Sequence, residues 1–503
     1  MICNNLFVFV LLSGVASTNA FVPTRFTTSM VQKSASLTKP SSTVLGASTM
    51  EPTTTSKEPT TWECDDDLTE CREVPACDEE QCRTSLDVRI HGEWYDLTGW
   101  RKGHPAGEHW IDYYDGRDAT EVMDGFHSKK AMKMLDRLPR SKPEATKALE
   151  QNAVPDSNTQ IAFRKLREEL EAEGYWERDM VHEYKILGIW GALVAGAAFT
   201  SGAVPLLSTF LLGLSMTAAG WLGHDYIHGI DEYAFKLRNF AGFAAGLHPT
   251  WWSDKHNKHH ALTNEMGCDE DVATDPFLFQ WAPDPKQDSP LRKIQHLIFY
   301  IPFSFLFALW RVDSMKVAVD AVENKRPGAK NELYSLLAHY LFVLTVFPYT
   351  IWVPAVFMSG LVSALIVTPT HQSEEMFEEY QPDWVTAQFQ STRNAVTTNP
   401  FSEWIWGGMQ YQLEHHLFPS MPRSKYPSLR ERLIKFAEDN QIPGGYRETG
   451  EFEILKMNWE LYKRVAEADA VPGAPPTRGR PGQQGAIDST NSPANGISKA
   501  VGA

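Results

Sequence analysis

The chain has 503 residues, with 47 Lys and Arg against 63 Asp and Glu, and a net charge of −16. This length allows two or three domains and more than one core, and the acidic balance argues against nucleic acid as a partner. The apolar residues are unevenly spread, with dense runs over 186–221 and 334–367.

At the N-terminus, Leu6–Val15 form an apolar core too short to cross a bilayer, followed by the small residues "SGVASTNA". Residues 21–50 are rich in Ser and Thr and carry Arg25, Lys33 and Lys39 with no acid. These features predict a signal peptide over 1–20 and a transit-peptide-like segment over 21–60. The junction "STNAFVP" resembles the cleavage motif of bipartite presequences in algae with complex plastids. Next comes an acidic linker, 61–85, holding Cys64, Cys71, Cys77 and Cys82. It lacks the CxxC pairs of a zinc site and has no nearby histidine to complete one, so its thiols are read as reduced or paired among themselves.

Residues 86–140 have globular composition with closely spaced turn signals, and 141–185 read as a polar helical connector. The apolar runs Ile186–Phe199 and Val204–Trp221 flank "TSGA", and Leu333–Phe347 and Ile351–Val367 flank Pro348. They predict two helical hairpins of four transmembrane helices within a membrane domain over 186–465. The turns near 200–204 and 347–351 carry no Lys or Arg, whereas Lys185, Lys236, Arg238, Lys255, Lys258, Arg292 and Lys293 lie on the opposite flanks. By the positive-inside rule, both hairpins dip from the cytoplasm-like face and return to it. Leu297–Trp310 is short and contains Pro302, so it is read as lying in the interface. The Pro-, Gly-, Ser- and Asn-rich end predicts a disordered tail, 466–503.

Of 16 histidines, half fall in four clusters: "HDYIH" (His224, His228), "HNKHH" (His256, His259, His260), "THQSE" (His371) and "QLEHH" (His415, His416). On a helix, His224 and His228 share one face, and His256 shares a face with both His259 and His260. Adjacent histidines diverge by roughly 100°, so His259 and His260 suit two different metal ions. The two hairpins return all four clusters to one bilayer surface. Too many imidazoles converge for one zinc, and imidazole suits iron, copper, nickel and zinc alike. A paired redox metal fits best, with iron the favoured identity. His109, His182, His248, His296 and His339 are read as packing or surface residues.

The set "HxxxH … HxxHH … QxxHH" resembles the membrane fatty-acid desaturases over roughly 180–450. "QYQLEHHLFPSMPR" is similar to the front-end subgroup, in which Gln, here Gln412, replaces the first histidine of the last box. This chain has Gln410-Tyr411 before that Gln where the family commonly has Asn-Tyr, and Leu413 where Ile is usual. Residues 97–128 resemble the cytochrome b5 domain, with His104 in "HPAG", where Ala106 replaces a family Gly, and His127 beyond it. The expected fold is thus multi-domain: a small α+β heme domain, then an all-α membrane domain.

The resemblance implies heme b held by His104 and His127, and two non-heme iron ions. The iron ligands would be His224, His228, His256, His259, His260, His415 and His416, with His371 a further ligand. Gln412 would be a weak ligand or stand just behind the metal, and Asp225 and Glu414 would orient imidazoles. The implied reaction uses O2 and electrons relayed by the heme from a cytochrome b5 reductase or a ferredoxin. It places a cis double bond between an existing one and the carboxyl end of a membrane-lipid or acyl-thioester chain. The same scaffold suits an acyl hydroxylase, an acetylenase or a sphingolipid long-chain-base desaturase, and a membrane-anchored electron carrier is a more distant alternative. The expected location is a multi-pass protein of the plastid membrane, or of the endoplasmic reticulum if the presequence reading fails.

Overall fold

The computed structural model describes residues 85–104 and 106–476, together with the backbone of 60–64 and 71–75. The presequence, Cys77, Cys82 and residues 477–503 lie outside the described residues. In a first unit, Thr60–Cys64 pairs antiparallel with Cys71–Pro75, Cys64 opposite Cys71. Everything described from Ser85 onward belongs to a second unit.

The second unit opens with an antiparallel hairpin, Asp87–Ile90 with Glu93–Asp96. His91 and Gly92 turn it with φ of 51° and 78°, the left-handed pair that two-residue hairpins favour. Three short helices follow, His109–Tyr113, Thr120–Phe126 and Lys129–Leu135. The connector folds as Pro143–Asn152 and Asn158–Ala172, the latter opened by a reciprocal capping box between Ser157 and Gln160. Phe163, Leu166 and Leu170 line one side of that helix at i, i+3 and i+7. They bury against Val88, Tyr113 and Val122 of the small domain and against Phe389, Leu417 and Leu433 further on. The small domain is therefore packed into the same core as the C-terminal part of the helical domain.

Helices occupy all four predicted membrane segments: Met180–Thr200, Pro205–His228, Ala329–Val346 and Tyr349–Val367. Among the described helices, two are long and apolar enough to cross a bilayer, Pro205–His228 and Tyr349–Gln372. A third qualifies only if Pro290–Ile298 and Tyr300–Glu323, bent by 93°, count as one. The expected four is therefore met by two or three. Glu183 and Lys185 dilute the first helix, and Lys330, Glu332 and His339 the third. Both hairpin turns nonetheless gather in one apolar cluster containing Ala197, Leu212, Val343, Phe347 and Ile351. Near those turns Phe199, Leu206 and Leu341 stand largely exposed, as lipid-facing side chains do.

The segment expected in the interface straddles the 93° bend. Phe303 shares a buried cluster with Ala364, near the end of the Tyr349–Val367 helix, and Val317 packs against the cluster that holds Tyr226, Ile227 and Trp251. Both ends of Tyr300–Glu323 thus stay near the histidine-bearing end of the bundle. It crosses Tyr349–Val367 closely at Gly360, where a Cβ would sit 2.7 Å from the Ser304 carbonyl oxygen. The tail begins later than expected. The helix Glu451–Glu467 passes residue 466, and Val471 N and Gly473 N then donate to Pro283 O and Asp284 Oδ2 at 3.0 and 2.8 Å.

Candidate metal centre and heme module

Each histidine cluster is delivered by a helix end. His224 and His228 form the last turn of Pro205–His228, and His256, His259 and His260 close Pro249–Ala261. His371 sits on the short turn Pro369–Gln372 and His415 and His416 on Gln412–Leu417. Two groups result: His224, His228, His256, His260 and His415, and separately His259, His371 and His416. Within each, candidate ligand atoms lie within 4.8 Å of one another. The rings of His260 and His416, one from each group, have centroids 4.2 Å apart, so the groups adjoin. The chain parts the neighbours His259/His260 and His415/His416 between the groups, as their divergence around a helix requires.

The imidazoles are aimed by groups behind them. Asp271 Oδ2 accepts from His256 Nδ1 at 3.0 Å, and Asp269 Oδ2 from His259 Nδ1 at 2.8 Å. Ser391 O accepts from His371 Nδ1 at 3.1 Å and Gln388 Oε1 from His416 Nδ1 at 2.9 Å, while Tyr426 OH meets His415 Nδ1 at 3.2 Å. Spending the Nδ1 proton on such a partner leaves Nε2 as a bare lone pair. Yet His259 Nε2 and His371 Nε2 face each other at 3.4 Å, and His256 Nε2 stands 3.1 Å from His224 Nε2 and 3.2 Å from His260 Nε2. Lone pairs converging in this way call for a cation between them. The buried Nε2 atoms of His228, His415 and His416 have no hydrogen-bond partner either. Burial, reinforced by the neighbouring histidines, holds His256, His260, His415 and His416 well below the ordinary imidazole range, so they stand neutral and ready to ligate.

The acids inside the boxes do something else. Asp225 pairs with Arg178 at 2.7 Å and accepts from the backbone N of Arg423, and Glu414 accepts from Asn394 Nδ2 and Tyr446 OH at 2.7 and 2.5 Å. The expectation that these two orient imidazoles is replaced by Asp269 and Asp271, which the sequence offers in "CDEDVATD" shortly after "HNKHH". Gln412 donates from Nε2 to His371 Nε2 at 3.0 Å, and its buried Oε1 has no partner.

In the small domain the rings of His104 and His127 face each other with centroids 6.1 Å apart. Metal–imidazole bonds of roughly 2.0–2.1 Å on opposite sides of one iron would set the centroids about 6 Å apart, so the pair fits heme ligation. His104 Nδ1 donates to Gly107 O at 3.0 Å and His127 Nδ1 to Met123 O at 3.2 Å, which turns both Nε2 atoms inward. Gly107 has φ of 112°, a conformation that suits its lack of a Cβ. Burial pushes His104 down to about 4, with His127 adding to it, and burial lowers His127 as well.

This domain is held against the metal centre by Tyr113 OH donating to Glu265 Oε2 at 2.6 Å, and by Trp110 Nε1 donating to Asp254 at 3.2 Å. His109, read as a packing residue, is buried with Nε2 3.1 Å from the same Asp254 carboxylate.

Comparison with known proteins agrees with this geometry. Residues 201–446 match the fatty acid desaturase family, and 77–141 match the cytochrome b5-like heme/steroid binding domain. A Delta(8)-fatty-acid desaturase of Euglena gracilis is 30% identical over 76% of this chain and 96% of its own. A Delta(6)-fatty-acid desaturase of Caenorhabditis elegans is 27% identical over 76% and 97%. An acyl-lipid (9-3)-desaturase of Physcomitrium patens is 28% identical over 76% and 77%. Eight converging imidazoles beside the facing pair His104 and His127, in a chain that covers 96–97% of two such relatives, place this protein in the fatty acid desaturase family: it is a fatty acyl desaturase with a cytochrome b5-like domain fused at its N-terminal side.

Proposed function

We propose that the protein inserts a cis double bond between an existing double bond and the carboxyl end of a membrane-lipid acyl chain. The observation that supports this most is the pair of adjoining histidine groups, in which His256 Nε2 faces those of His224 and His260 while the Nε2 atoms of His228, His415 and His416 have no hydrogen-bond partner. His224, His228, His256, His260 and His415 would hold one iron ion. His259, His371 and His416 would hold the other, with the unpartnered Gln412 Oε1 beside them as a further donor. Bound there, the two irons supply O2 activation: the chain gives up two hydrogens, and O2 with two further electrons and two protons becomes two waters.

The rest of the chemistry belongs to the chain. Asp269 and Asp271 keep the protons of His259 and His256 on Nδ1, so neither ring can turn its lone pair away. Burial of every ligand except the half-buried His256 excludes bulk water from the oxidising centre. His104 and His127 would hold heme b, whose closed coordination passes electrons without binding O2. A one-electron protein, a cytochrome b5 reductase or a ferredoxin, would refill that heme.

In this reading Met180–Thr200 and Ala329–Val346 complete the two hairpins alongside the two long spans. All the histidines then lie at one bilayer surface, where an acyl chain enters from the side. A glycerolipid substrate is favoured over a thioester by the relatives described as acyl-lipid desaturases. The presequence-like composition of residues 1–60 supports a plastid membrane.

Lipid profiling after expression in a host without polyunsaturated lipids tests the reaction. A new double bond on the carboxyl side of an existing one is expected, and a hydroxy acid in its place overturns the reading. A reporter fused behind residues 1–60 tests the location, and a reticular signal alone rejects the plastid.

A further inference from the structure

His127 would bind the heme from one side, and the residue before it reaches the other centre. Phe126 ends the helix Thr120–Phe126, and its ring stacks on His228 at 6.3 Å between centroids, 28° from parallel. The same ring meets His260 edge-on at 6.0 Å. Both partners belong to the five-histidine group. Among the described residues, the ring contacts of Phe126 go to that group and not to His259, His371 or His416.

The approach is built rather than incidental. Gly125, one residue earlier, leaves only ordinary van der Waals room against Pro419, just beyond the last histidine box. Arg167 of the connector donates to Asp124 O at 2.6 Å, so the backbone just before Phe126 is anchored to the connector helix. The contacts of Trp110 and His109 to Asp254 and of Tyr113 to Glu265 fix the far side of the domain.

The geometry points to Phe126 as the bridge by which electrons leave the heme, entering the metal centre at the five-histidine group. The inference rests on the proposed roles of the heme and of the iron pair. In each transfer a ferrous heme becomes ferric and a ferric ion at the five-histidine group becomes ferrous. Two such transfers, with the heme refilled between them by the external one-electron donor, supply the two electrons of a turnover. Phe126 touches the ligands and not the reacting chain, so it is a positioning residue: it closes the gap with a polarizable ring that no water can replace. A domain tethered this way has no need to swing between donor and acceptor.

The test uses the full-length, membrane-embedded protein loaded with heme and iron. The heme is reduced without O2 or lipid, with the non-heme iron ferric, and its reoxidation is followed by its absorption spectrum. F126L should slow this reoxidation about tenfold or more while heme spectrum, heme midpoint potential and iron content stay those of the wild type. F126Y, which keeps the ring, should run at the wild-type rate. An unchanged rate in F126L, or an F126Y as slow as F126L, overturns the bridge. A wild-type heme that does not reoxidise under these conditions overturns instead the reading of the fused domain as donor, and the bridge with it.

Discussion

Replacing Asp269 by asparagine separates aiming of the metal ligands from holding of the fold. The Asp269 carboxylate is fully buried and accepts three bonds: from His259 Nδ1 at 2.8 Å and Asn264 N at 2.9 Å on Oδ2, and from Asp271 N at 2.9 Å on Oδ1. An amide of the same shape has one acceptor oxygen. Whichever way it turns, its NH2 opposes at least one buried N–H, at a cost of about 1–3 kcal/mol. If the NH2 faces His259, the ring loses its anchor, and removing such a partner lowers metal affinity by about 10–100-fold, or roughly 1.4–2.7 kcal/mol.

The assay is non-heme iron per folded chain under a graded chelator, alongside the thermal midpoint. D269N should release one of two irons, that of the three-histidine group, at chelator concentrations the wild type withstands. D225N is the counterpart. Asp225 and Arg178 pair at 2.7 Å with both side chains 5% exposed, and breaking a buried pair costs about 3–5 kcal/mol. D225N should melt earlier yet keep both irons in the chains that remain folded. If D269N holds iron like the wild type while D225N loses it, the acids within the boxes are the aiming groups after all and the assignment is wrong.

Three further outcomes follow from the same structure. Gly407 has φ of 60°, and a Cβ there would overlap the Trp221 ring one turn before His224. G407A should therefore lose about 2–4 kcal/mol from left-handed strain plus overpacking, read as a lower thermal midpoint and reduced iron retention. His104, held at about 4 by burial against 6.5 in the unfolded chain, takes up fewer protons when folded. The stability this group contributes should thus be fully present above pH 6.5 and be lost progressively as pH falls from 6.5 to 4. A thermal midpoint of the heme-free protein that stays flat from pH 6.5 down to 4 would contradict this. Stripping the non-heme iron removes the cation between facing lone pairs. At ligand about 100-fold above its dissociation constant each bound ion stabilises by about 2.7 kcal/mol, so the midpoint should fall by roughly 3 °C for each ion lost and recover on reloading.

The part of this molecule legible in the sequence is the part fixed by local periodicity. His224 and His228 at i and i+4, and the divergence of His259 from His260, are properties of one helix turn, and the two groups form as that geometry demands. That His104 and His127 face each other was readable for a different reason: "HPAG" and His127 sit in a short domain whose resemblance carries its own spacing. Asp269 and Asp271 were hidden because nothing periodic ties them to "HNKHH". They reach it through an irregular loop in which Asn264, at φ of 59°, turns the chain back toward the helix. Asp225 misled because adjacency in sequence is not adjacency in space. On the helix it points about 100° away from His224, toward Arg178. The span count came out lower than expected because apolar length was read without the charges at the helix starts, Glu183 and Lys185 in one and Lys330 and Glu332 in the other.

Those helix starts also explain how ligands so far apart in sequence can share one centre. Glu183, on the first helix of the first hairpin, accepts from Arg178 at 3.0 Å and from Tyr226 OH at 2.7 Å. The same guanidinium holds Asp225 at 2.7 Å and Asp231, the N-cap of the next helix, at 2.9 Å. One buried cation thus locks the rim of the hairpin to the turn bearing His224 and His228 and to the start of the helix after it. On the second hairpin, Glu332 lies 2.9 Å from the ring nitrogen of His248 and accepts from Thr250 Oγ1 at 2.7 Å. Both partners sit at the start of the helix that carries His256, His259 and His260. The charges that depress the apolar count of these two helices are therefore the ones that fix where the histidine helices begin. Hydrophobic length brings the hairpins to the bilayer, but the polar residues at their rims set the register in which eight imidazoles meet. A substitution that made either helix apolar throughout by removing them would raise its hydropathy and scatter the centre it supports.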